Sequence, residues 1–93
     1  MAPYDLELPI RWKNARWKVK IRDNEALEPP HVTVLRGPDA WRIGLRDGAF
    51  LDGGSWHDLP DEVRAVVLAH WEDLRRAWDE RFPGNPVEGQ KDE

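Results

Sequence analysis

The sequence predicts a small α+β domain, a three- to four-stranded, mainly antiparallel sheet covered on one face by a long C-terminal helix. Three observations predict it. Residues 58–82 (DLPDEVRAVVLAHWEDLRRAWDERF) repeat apolar side chains at three- and four-residue steps. Residues 16–22 and 31–36 alternate at two-residue steps instead. The joints between the segments are mostly short turn signals, Gly37-Pro38-Asp39 and Asp47-Gly48 among them.

Taken in order, residues 1–10 (MAPYDLELPI) alternate weakly, with Pro3 and Pro9 on either side. Tyr4, Leu6, Leu8 and Ile10 suit an edge strand or an extended arm, because proline cannot donate to a ladder. Residues 11–22 (RWKNARWKVKIR) hold six basic residues and no acidic one. From Arg16 onward, Trp17, Val19 and Ile21 take one face, while Arg16, Lys18, Lys20 and Arg22 take the other. That is a half-buried strand with a basic outer face. Residues 23–30 (DNEALEPP) form an acidic loop stiffened by Pro29-Pro30. The next strand, 31–36, places Val32 and Val34 on one side and His31, Thr33 and Leu35 on the other. A third, 40–45, places Trp41, Ile43 and Leu45 opposite Arg42. Asp47-Gly48 predicts a type I′ hairpin leading into a short fourth strand at 49–51.

The helix has signals at both ends. Asp58 suits the N-cap, Pro60 the first turn, and Asp61 and Glu62 the positive end of the dipole. Pro83-Gly84 ends it. Val63, Val67, Trp71, Leu74 and Trp78 form the buried stripe, with Val66 and His70 at its edge. A single domain over 1–87 follows, with a disordered polar tail at 88–93.

Composition narrows the function classes. Of 93 residues, 40% are hydrophobic and 34% charged, as in a soluble globular chain, and six are tryptophan. Cysteine is absent, which excludes disulfides, a thiolate nucleophile and cysteine-ligated zinc. A cytoplasmic location is the expectation. No signal-peptide run or membrane-length apolar stretch is present, so no membrane partner is expected. The formal net charge of -4 weighs against a dedicated nucleic-acid binder.

Candidate contact residues are Arg16, Lys18, Lys20 and Arg22 on the basic strand, with Arg36, Arg42, Arg46 and Trp56. They suit an acidic protein surface or nucleic acid. The plainer reading is a solvated strand whose charges guard an edge against aggregation. Trp12, Trp41 and Trp56 fall near element ends, where an aromatic can anchor an interface or simply complete a small core. The three histidines, His31, His57 and His70, form neither HExxH nor HxH. No metal or cofactor is assigned. A metal-independent nuclease would need a base, His31 or His57, beside arginines and lysines that hold phosphate. Ser55 lacks the GxSxG context, and Asp52-Gly53-Gly54 lacks the lysine of a phosphate loop.

Four stretches carry a resemblance. They are Glu28-Pro29-Pro30-His31-Val32-Thr33-Val34, the hairpin around Asp47-Gly48, Leu59-Pro60-Asp61, and Trp71 through Trp78 to Gly84-Asn85-Pro86. Over roughly residues 16–86 the chain resembles an uncharacterised family of small bacterial proteins, a domain of unknown function with a Pro-Pro-His strand motif and a long C-terminal helix. His31 matches the first histidine of that motif, while Thr33 stands where a second would fall, so paired-histidine chemistry does not carry over. Some members lie near toxin–antitoxin modules, and the resemblance implies a regulatory or toxin-associated role without naming catalytic residues. The expectation is a non-enzymatic cytoplasmic module that binds a protein partner or itself, through Trp56, the basic strand and the first ten residues. The alternative is a nucleic-acid-binding or ribonuclease-like toxin component using His31, His57 and the arginines.

Overall fold

Four antiparallel strands follow one another in space in the order they follow in the chain. The computed structural model describes residues 4–21 and 29–88. Its strands are β1 (Tyr4–Leu6), β2 (Trp17–Ile21), β3 (His31–Arg36) and β4 (Asp39–Gly44). Three helices accompany them, α1 (Ile10–Asn14), α2 (Asp61–Ala69) and α3 (Trp71–Arg81), with a 3-10 turn at Trp56–Asp58. Arg22, residues 23–28 of the acidic loop and residues 89–93 of the expected tail lie outside the described residues.

Register follows the two-residue pattern. Leu6 pairs with Val19, Val19 with Val34, and Val32 with Ile43. One face therefore carries Leu6, Trp17, Val19, Ile21, Val32, Val34 and Ile43, all buried. Their cover is Leu59, Val63, Val67, Leu74, Ala77, Trp78, Phe82 and Val87, which join them in one hydrophobic cluster. α3 contacts β2 directly. Each such aliphatic side chain removed from water contributes about 1.5–3 kcal/mol before entropy is counted, so this face sets the fold. β3 departs from simple alternation, because His31 and Thr33 on its other face are also buried, at 0% and 2% exposure.

The long helix is two helices. His70 adopts φ -109 and ψ 21, and its backbone N–H is shared between the Val66 and Val67 carbonyls at 3.2 Å each. Its Nδ1–H donates to the Val66 carbonyl at 3.0 Å. A side chain inserted into the i→i−4 ladder is a recognised cause of a helix break. The N-terminus also differs from expectation. Pro60 occupies the cap position of α2, and Asp58 instead closes the 3-10 turn, its carboxylate accepting the Ser55 N–H at 3.0 Å.

Three further departures lie nearer the N-terminal half. α1 replaces the end of the expected arm, because Pro9 fixes its entry and the Trp12 N–H reaches the Pro9 carbonyl at 3.0 Å. Residues 49–51 form a single bridge, Ile43 to Phe50, and not a strand. Asp47-Gly48 is not a type I′ turn. That turn needs positive φ at both central residues. Gly48 has φ +76, while among the described residues Arg16 is the one non-glycine residue with positive φ. Gly37-Pro38 does form a two-residue hairpin, with Arg36 opposite Asp39 and Gly37 at φ +56.

Candidate functional site

Among the described residues, Arg16 and Lys18 are exposed and lack a carboxylate partner, and they lie where α1 meets β2 and the β2–β3 ladder ends. α1 stops because Arg16 turns left-handed, at φ +75, its N–H bonded to the Lys13 carbonyl at 2.9 Å. A non-glycine residue there costs roughly 1–2 kcal/mol. The Arg16 carbonyl then accepts the Gly37 N–H at 3.4 Å, tying this corner to the β3–β4 turn. Lys13, Arg16, Lys18, Leu35 and Gly37 line a pocket of about 300 Å³. A second, of about 210 Å³, shares Lys13 and Lys18 and runs along β1 to Lys20, Asp5 and Glu7.

The electrostatics separate these cations. Lys13 pairs with Glu7 at 2.6 Å, and Lys20 sits 3.8 Å from Asp5. Arg16 and Lys18 have no carboxylate partner among the described residues. Arg36, at the same end of β3, also lacks one and lies 5.9 Å over the Trp17 ring. Trp17 in turn stacks on Trp41, centroids 5.6 Å apart at 12°.

The other basic candidates are engaged elsewhere. Arg42 makes a two-pronged contact with Asp52, at 2.5 and 2.7 Å. Those hydrogen bonds hold the Asp52 carboxyl below its ordinary range. Arg46 donates to the Val87 carbonyl at 2.6 Å and the Pro86 carbonyl at 3.0 Å, clasping the C-terminal segment. Trp56 is half-buried. Its Nε1–H donates to the Gly48 carbonyl at 3.1 Å, and its ring meets Phe50 and Trp71, away from the residues of the basic pocket.

Neither candidate base lines the pocket. His31 is buried at 0% exposure, its Nδ1–H donating to the Pro29 carbonyl at 2.8 Å and its ring 5.5 Å from Trp78. His57 is exposed, with its backbone N–H on Ser55 Oγ at 3.2 Å. Among the described residues no three His, Asp or Glu side chains gather as a metal-binding group. No helix there is long and apolar enough to cross a membrane.

Sequence reasoning left out Lys13 as a contact residue. Its signal was the Pro9 entry, since the short helix that follows brings Lys13 beside the turn at Arg16. It also left out Asp47, Leu68 and Trp71, which line an aromatic groove with Trp56 and Gly48. Comparison with protein-family models, curated proteins and solved structures finds no match to this chain.

Proposed function

We propose that this chain is a non-enzymatic binding module that receives an acidic segment of a protein partner at the cationic corner of Lys13, Arg16 and Lys18. One observation carries the reading. Arg16 and Lys18 face an open pocket and have no carboxylate partner among the described residues, whereas Lys20, Arg42, Arg64, Arg75 and Arg76 each have one. Unpaired charge beside a pocket orients and accelerates association with the opposite sign. The left-handed Arg16 supports the same reading, since backbone strain of this kind concentrates at binding sites. The chain's net negative charge favours a short local acidic contact over a long phosphate track. Of the two candidate bases, His31 is buried and His57, though exposed, does not line the basic pocket, so the arrangement favours binding over a ribonuclease-like step. A cytoplasmic role beside toxin–antitoxin modules, implied by the Pro-Pro-His resemblance, belongs to the same proposal.

The test is a titration of the full chain with a hexaglutamate peptide, followed by backbone amide resonances. Lys18 and Gly37 shift first, and the shifts fade in 0.5 M salt, as screening requires. The substitution Lys18→Glu abolishes them. A parallel titration with an oligouridylate separates the alternative. Shifts at the same amides by the oligonucleotide alone, without the peptide, would overturn the protein-partner reading in favour of nucleic acid.

A further inference from the structure

A second lining of opposite character occurs at the helix break. Asp47, Gly48, Trp56, Leu68 and Trp71 surround an open groove of about 460 Å³. Its construction starts with His70. α2 ends there with Leu68 off its buried face, 51% exposed, and Trp71 is the first residue of α3. Trp56 is fixed from two sides, by its hydrogen bond to the Gly48 carbonyl and by Phe50 edge-on at 5.4 Å and 89°. The Trp56 and Trp71 rings stand 6.0 Å apart at 60°, two walls of a corner. Asp47 accepts the Ala49 N–H through Oδ1 at 3.0 Å, and no cation pairs with it among the described residues.

This combination selects one ligand class. Indole rings attract cations electrostatically, and the Asp47 carboxylate, which has no cationic partner among the described residues, supplies the net charge. Leu68 offers an aliphatic surface for a methylene stem. A hard metal ion needs about six oxygen ligands and finds one carboxylate here. A free small molecule is ordinarily enclosed on most of its surface, which an open groove does not provide. A side chain carried by a larger surface needs only its tip received. We infer that the groove is a binding site for a basic side chain of a protein partner. It has the opposite sign to the cationic corner and shares none of its residues, so the inference stands independently of the proposal above.

The experiment is a titration of the full chain with Nα-acetyl-lysine amide and, separately, with the neutral analogue Nα-acetyl-norleucine amide, following indole N–H resonances by NMR. The lysine amide shifts Trp56 and Trp71 and leaves the other four of the six tryptophans unmoved. It binds about tenfold more tightly than norleucine amide, the scale of a cation held against aromatic faces. Asp47→Asn keeps an oxygen for the Ala49 N–H and reduces the preference severalfold. Equal binding of the two amides would reduce the groove to a hydrophobic patch and overturn the inference. So would an unchanged preference in Asp47→Asn, or the absence of any shift.

Discussion

The Trp12 indole N–H donates to the Glu62 carboxylate at 2.7 Å, across a sequence separation of 50 residues. It locks α1 onto the start of α2, and Arg11 donates to the same oxygen. Arg11 also lies 5.1 Å over the Trp12 ring. The Trp12 hydrogen bond first, then Arg11, lowers the Glu62 pKa from its ordinary 4.5. A depressed carboxylate stabilises the fold above its unfolded value, and that contribution is lost as pH falls through the lower folded value. Trp12→Phe therefore brings the Glu62 titration, read by carboxyl NMR, back towards 4.5. Its destabilisation by denaturant, measured at pH 7, shrinks once the pH is below the folded value, leaving only the lost packing.

Arg16→Gly separates binding from folding. Glycine accepts positive φ without the side-chain clash, but loses about 0.5–1 kcal/mol through the entropy of the unfolded chain. These oppose each other, so urea unfolding should give a stability within about 1 kcal/mol of the parent. Hexaglutamate binding falls sharply in the same variant. A large loss of stability would show that the guanidinium, and not the backbone, holds the corner.

Gly54→Ala is the opposite case. Gly54 has φ +93, and a Cβ there would lie 2.7 Å from Trp41 Cδ1. The backbone strain and the clash both act, and the cost is about 1–3 kcal/mol by thermal or urea unfolding. Gly53→Ala, at φ +97 but with nothing within 4 Å of the added carbon, costs less.

Two tryptophans on one helix should respond unequally. Trp78 has 0% exposure, lies 4.3 Å from the Phe82 ring and donates to the Asn85 carbonyl at 2.8 Å. Trp78→Ala costs about 3–5 kcal/mol, a large share of what a domain of this size possesses. Trp71 is only partly buried, and Trp71→Ala costs less than half as much. Denaturant midpoints of the two variants check the order.

The pattern of Trp71 and Trp78 shows what the sequence made legible. Their two-turn spacing placed both on the apolar stripe, and the stripe residues Val63, Val67, Leu74 and Trp78 are buried as expected. The strands expected at 31–36 and 40–45 and the basic strand were readable from their two-residue alternation, with β4 lying one residue earlier, at Asp39–Gly44, and β3 buried on both faces. What periodicity does not carry is a break made by one imidazole bonding back to Val66, and so the aromatic groove between Trp56 and Trp71 was not visible, although Leu68 already lay off the buried stripe. The basic residues were legible as a set but not as a site. Which of them meets a carboxylate depends on pairing across the fold, such as Arg42 with Asp52 and Lys20 with Asp5. α1 was hidden because its five residues are too few for a period to register.

The clasp made by Arg46 on the Pro86 and Val87 carbonyls has a consequence for synthesis. The strands are translated well before the cover they need. At about 5–20 residues per second, several seconds separate the emergence of β4 from that of Val87. During that interval Val19, Val32, Val34 and Ile43 have no α3 to pack against. The domain therefore closes only after Val87 has emerged, and the interval before it is when a nascent sheet of this kind most needs a chaperone.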